Sequence, residues 1–202
     1  MRTLMRLANG LRRIQFHSIP VRRNRDHEPY QLDWTGRRKP DFAGVYAFWW
    51  HQGRDHLMQT IQNFVVAFHG PGGISAKDKL LTITAEHFTE FDGRVPLYIG
   101  KAHCGKKACI AQRVGQHLLL KTRRAVPISE GHQRGKRMTT SCQLRDRLDR
   151  LFDEREDPRN LILENVALSY VEFRPEDWVG RFYLEYLAIG LFRPLFNLDC
   201  ER

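Results

Sequence analysis

Pro96-Leu97-Tyr98-Ile99-Gly100-Lys101-Ala102, taken with Gly44-Val45-Tyr46 upstream, is the stretch on which the reading of this chain turns. Each is a short apolar run that sets a tyrosine near a glycine. Residues 42–50 are rich in aromatic and β-branched side chains and predict a strand. Asp92-Gly93 is a turn signal that leads into a second strand over residues 95–100. The default role of Tyr46 and Tyr98 is that of core tyrosines on neighbouring strands, each with its hydroxyl satisfied.

Downstream, the spacing of Ile110, Val114 and Leu118 predicts a helix over residues 107–121. Arg113 and His117 stand four apart and share one of its faces. Gly115 costs that helix about 1 kcal/mol relative to alanine. Residues 122–140 are polar, basic and broken by Pro127, and read as a loop. A further helix carries the stripe Leu144, Leu148, Leu151, Phe152, is capped by Ser141 or Thr140, and is ended by Pro158. A third strand over residues 166–173 is closed by Pro175. The last helix, 178–192, stops before Pro194. It is apolar on every face and so is expected to be buried. A carboxylate inside it, Glu185, needs a cation or a metal ion, and Arg181 one turn back is the obvious structural partner.

Between the two tyrosine motifs, residues 51–95 form an insertion. Leu57, Ile61, Phe64, Val65 and Phe68 predict a helix to about residue 69, broken by Gly70-Pro71-Gly72-Gly73. That glycine run lacks the lysine of a phosphate-binding loop and reads as a turn. A short strand is expected near 80–84. The order strand, insertion, strand, helix, helix, strand, helix predicts an α+β fold, a small, mainly antiparallel three-stranded sheet flanked by helices. Residues 1–40 read as a basic arm, with seven arginines before the first acid at Asp26; an organelle transit peptide is the alternative. Residues 41–202 form the domain.

Composition narrows the function. With 42% hydrophobic residues the chain can bury a core, and no apolar run nears the length of a membrane span. Four cysteines without a C-x-x-C pair read as reduced thiols of a cytoplasmic protein. His103, Cys104, Cys109 and His117 make only a loose zinc pattern. The net charge of +10 is concentrated in residues 101–147, which hold twelve Lys/Arg against Glu130 and Asp146. That is the footprint of a phosphate-backbone binder. Lys106, Lys107, Lys121, Arg123, Arg124 and Arg147 are the candidate DNA contacts.

Gly44-Val45-Tyr46, Tyr98-Ile99-Gly100-Lys101-Ala102, Arg113-Val114-Gly115-Gln116-His117, Glu185 and Pro194-Leu195-Phe196-Asn197, in that order, resemble the GIY-YIG nuclease superfamily, most closely its compact restriction-endonuclease-type members. The resemblance covers about residues 42–198. It implies metal-dependent endonucleolytic hydrolysis of DNA phosphodiesters by a one-metal route. Glu185 would hold Mg²⁺ (or Mn²⁺), and Tyr46 would be general base, tuned by His117. Tyr98 and Arg113 would bind the phosphate, and Lys101 would add charge near the leaving group. Gly44, Gly100 and Asn197 would support the site. Arg147, in Leu144-Arg145-Asp146-Arg147-Leu148, fits the arginine pattern too; the pairing of arginine with histidine favours Arg113. A homodimer follows by analogy with enzymes that cut both strands. The alternative is a non-catalytic nucleic-acid-binding module on the same fold.

Overall fold

The computed structural model describes residues 14–22, 30–68, 79–103, 108–120, 143–152 and 157–197. Three long strands form the centre: β4 (Ala43–Trp50), β7 (Val95–Ala102) and β8 (Val166–Phe173). All are antiparallel, with β4 in the middle, paired to β7 on one side and β8 on the other. The sheet has four strands where three were expected. The fourth, β1 (His17–Ser18), pairs with β8 through His17–Leu168 and Ser18–Ala167. Part of the predicted basic arm therefore belongs to the fold, and Ile19 is buried in the core. Two further two-stranded ribbons pair β2 (Val21–Arg22) with β3 (Gln31–Leu32), and β5 (Val65–Phe68) with β6 (Lys79–Thr82).

Alternation along β4 gives the sheet two buried faces. Tyr46, Phe48 and Trp50 point to one face, where they meet α2 (Ile110–Leu118) and α3 (Gln143–Leu151) through Val114, Leu118, Leu144 and Leu148. Val45, Ala47 and Trp49 point to the other, against Leu184, Ala188 and Phe192 of α5 (Trp178–Phe192). The first turn of α2 is tied to the entry of β4. The Ile110 and Ala111 amides donate to the carbonyls of Phe42 and Pro40, at 3.2 and 2.8 Å, and so satisfy donors that a helix start leaves open.

Three sequence expectations are corrected. The helix of the insertion, α1 (Gly53–Thr60), stops nine residues early, and Val65–Phe68 is strand β5. After Ile61 the chain is captured by α3: the Gln62 and Asn63 amides donate to the Leu151 carbonyl at 2.8 and 3.1 Å. Two adjacent valines then favour the extended state. Pro158 does not end a region but opens α4 (Pro158–Asn165) as its first helical residue, after Asp157, whose side chain accepts from the Arg159 amide. Finally, α5 is not buried all round. Leu184, Ala188 and Phe192 are covered, whereas Trp178, Tyr183 and Leu191 are 63%, 59% and 62% exposed. The Gly70–Gly73 turn and the loop 122–140 lie outside the described residues.

Arg145 fastens α3 to α2. It is fully buried, donates to Asp149 Oδ1 at 2.6 Å, and reaches the Leu118 and Leu119 carbonyls at 2.8 and 3.1 Å. These carbonyls are the ones that the end of a helix leaves unsatisfied. Arg145→Ala strands a buried carboxylate, so a loss of about 3–5 kcal/mol is expected in urea unfolding. Replacing Arg145 and Asp149 together by leucine should cost less than the single change.

Candidate functional site

The site is built around β7, an edge strand of the central sheet. Its pairing with β4 slips at Leu97: Phe48 faces Tyr98, but Trp49 faces Pro96. The extra residue is a bulge, which lets Leu97 and Tyr98 pack toward the same face. Tyr98, two residues from the Gly100 that faces Tyr46, lies on the Tyr46 face. The two rings lie 6.4 Å apart, and the His117 ring is 4.5 Å from Tyr98 and 5.6 Å from Tyr46.

Tyr46 Oη and His117 Nε2 are hydrogen-bonded at 2.8 Å, linking the central strand to α2. Two glycines make room. A Cβ on Gly100, opposite Tyr46 in the ladder, would lie 2.7 Å from the Tyr46 hydroxyl and 2.9 Å from the Tyr98 ring. A Cβ on Gly44 would lie 2.8 Å from the Ile110 side chain and even closer to the Val171 carbonyl. Asn197 grips the outer edge of β7, accepting from the Ile99 amide at 2.8 Å and donating to the Ile99 carbonyl at 2.7 Å.

His117 is 1% exposed, and its Nδ1 has no hydrogen-bond partner among the described residues. Burial first, then the charges of Arg113 and Arg147, push its pKa down to about 3. It is neutral at any physiological pH and fits the orienting of Tyr46 better than proton relay. Arg113 and Arg147 thus both send their fields into this cluster. Arg113 is partly exposed, with Nη1 3.3 Å from Gln116 Oε1. Arg147 is 5% exposed and donates to the Phe196 carbonyl. That burial corrects its assignment as a surface DNA contact: it braces the 3₁₀ turn Leu195–Asn197 that delivers Asn197.

Lys101 and Glu185 stand on the opposite face of the sheet. Lys101 pairs with Val45 and alternates with Gly100 and Ala102, so it points toward α5, where its ammonium meets the Glu185 carboxylate. The expected partner, Arg181, is buried elsewhere, 3.2 Å from His103 Nδ1 and 3.3 Å from the Arg174 and Pro175 carbonyls. The sequence-predicted residues are therefore gathered in two groups, Tyr46, Tyr98, Arg113 and His117 on one face, Lys101 and Glu185 on the other. They are joined by β7, which carries Tyr98 and Lys101 three residues apart, about 10 Å along the strand. Lys106, Lys107, Lys121, Arg123 and Arg124 lie outside the described residues.

Among the described residues no three His, Cys, Asp or Glu side chains gather as a metal cage. A single, partly exposed carboxylate suits a hard divalent ion that keeps several waters. No described helix is long and apolar enough to cross a membrane. Sequence reasoning passed over Arg145 and Asp149 as an interhelix clamp, although their i, i+4 spacing was visible. Compared with known protein families, characterised proteins and solved structures, the chain matches none. What fold and site define is an α+β protein with a tyrosine–histidine–arginine cluster at a sheet edge.

The depressed histidine pKa carries a stability signature. Above pH 6.5 neither native nor unfolded His117 is protonated, and its full contribution is present. As pH falls from 6.5 toward 3, the unfolded chain takes up a proton that the native state refuses, at up to about 1.4 kcal/mol per pH unit. Urea unfolding between pH 7 and 4.5 should show a steeper loss for the parent than for His117→Gln.

Proposed function

We propose that this protein is a divalent-metal-dependent endonuclease that hydrolyses DNA phosphodiesters, as its resemblance to the GIY-YIG superfamily implies. The observation that supports this best is the Tyr46–His117 hydrogen bond, set in the fields of Arg113 and Arg147. Of the causes that oppose a proton on His117, burial is the largest, and the charges of Arg113 and Arg147 are the ones that favour negative charge on the hydroxyl bonded to it. That is the requirement for a tyrosine to serve as general base, because an ordinary phenol is too weak a base near neutral pH.

In this reading Tyr46 takes the proton of the attacking water. His117 holds the Tyr46 hydroxyl in place and stays uncharged. Arg113, which reaches the surface, grips the phosphate and offsets charge that develops in the transition state. Tyr98, also partly exposed, orients the same phosphate beside it. Lys101 supplies charge near the leaving group. Glu185 would hold Mg²⁺ or Mn²⁺, which when bound polarises a phosphoryl oxygen as a Lewis acid. DNA is favoured over a small diester because an excess of +10 far exceeds what a small diester needs.

Two observations favour a second reading, a nucleic-acid-binding module without catalysis. The Glu185 carboxylate is already engaged by Lys101, and Tyr46 is only 3% exposed. Supercoiled plasmid separates the two. With Mg²⁺, and not with EDTA, the parent should nick or linearise it, Glu185→Gln and Tyr46→Phe should bind without cutting, and Arg113→Ala should cut about 10²–10³-fold more slowly. Salt-sensitive binding with no cleavage by the parent supports the module, and equal cutting by Glu185→Gln removes Glu185 from the site.

A further inference from the structure

From the outward face of α5 we infer that this chain forms a two-fold symmetric dimer, with α5 of one copy packed on α5 of the other. Trp178, Phe182, Tyr183, Tyr186, Leu187 and Leu191 recur every three or four residues along this face, and they are 39–63% exposed. At about 150–250 Å² per aromatic side chain, those exposures leave on the order of 600–800 Å² of apolar surface. A typical monomer exposes a contiguous apolar patch of about 300–600 Å² at most. A standard interface takes about 800 Å² from each partner. One helix face thus offers nearly the whole contribution of one protomer, with the tryptophan and tyrosines that dominate binding energy.

Charge selects the occupant. Between Trp178 and Leu191 the charged residues are Arg181 and Glu185, and both turn inward: Arg181 is 1% exposed and the Glu185 side chain 13%. The exposed face is therefore uncharged on a chain with net charge +10. A charged partner finds no complement there. A second copy finds a matching apolar face, on a part of the molecule where like charges do not oppose its approach. The contact is isologous, so each residue meets the same surface from across the axis. Gly190 lies on this face, and a Cβ there would touch nothing in its own chain, so it leaves space for a neighbouring helix to come close.

The interface borders the candidate site. The Lys101 ammonium is 4.9 Å from the centre of the Phe182 ring, and Phe182 packs at 4.6 Å on Tyr186. Dimerisation covers the rings that flank the Lys101–Glu185 pair. The dimer does not depend on the nuclease reading.

Light scattering on the full chain, in salt high enough to screen its net charge, tests this. The parent should run at twice 23.8 kDa at micromolar concentration. Leu187→Lys and Tyr183→Lys, near the middle of the face and already exposed, should each weaken the dimer by at least about tenfold, because like charges meet across the axis. Circular dichroism and thermal unfolding of both variants confirm that the fold is kept. A monomeric parent overturns the proposal. So does a dimer that neither lysine weakens, since that dimer uses another surface. A parent that stays monomeric until Leu7 and Leu11 are both changed to lysine would show that the chain's own start occupies the face, which also overturns it. Loss of DNA binding by Tyr183→Ala in a monomeric parent would assign the face to nucleic acid instead.

Discussion

The fastening of one edge strand decides the rest. β7 has a ladder partner on one side only, and its outer side leaves backbone donors and acceptors to be satisfied. At Ile99 both bonds come from one side chain, Asn197, which completes the ladder without adding a strand. Asn197 is delivered by a 3₁₀ turn that Arg147 holds through the Phe196 carbonyl. Two residues after Leu97 the strand is pinned from outside, and at Leu97 it is bulged from within. Between those points Tyr98 is aimed at His117, and two residues past the pin Lys101 is aimed at Glu185. Alternation from Gly100, which faces Tyr46, puts Tyr98 on the Tyr46 face, and the bulge brings Leu97 onto that face beside it.

The electrostatics follow from that packing. His117 sits on an apolar helix face, under Phe48 and between two tyrosines, so burial alone disfavours its charge. Arg113, four residues earlier on the same helix, and Arg147 from the neighbouring one deepen the effect. A histidine in this position is not a switch near neutral pH. It is an uncharged post that holds the Tyr46 hydroxyl at 2.8 Å.

Much of this was legible in sequence because it rests on local pattern. Strand β8 and helix α5 have the predicted bounds, since each is an apolar run closed by proline. The i, i+4 spacing of Arg113 and His117 put both on one helix, where they are found. What was hidden depends on contacts distant in the chain. The early end of α1 is imposed by a carbonyl at Leu151, about ninety residues later. The fourth strand is two residues long and has no periodicity to read. The partner of Glu185 could not be chosen by proximity in sequence: Arg181 is one turn away but is taken up by carbonyls and His103, whereas Lys101 comes from β7, 84 residues earlier in the chain. Helix α5 looked apolar all round, yet only one of its faces meets the sheet. Composition cannot say how many layers lie on a helix.

The basic stretch shows why a charge count is not a surface. Of its four described cations, Arg145 and Arg147 are interior, and Lys101 is paired. The two buried arginines also differ in kind. Arg145 has a carboxylate at 2.6 Å, so its field is compensated locally, and it does not figure among the charges that lower the His117 pKa. Arg147 donates to the Phe196 carbonyl, and its field does reach His117. Two arginines a single residue apart in α3 therefore do separate work, one closing the end of a helix and the other charging the tyrosine cluster. The alternation Arg145-Asp146-Arg147 is read by sequence as one patch, but the fold divides it by the direction in which each side chain is buried.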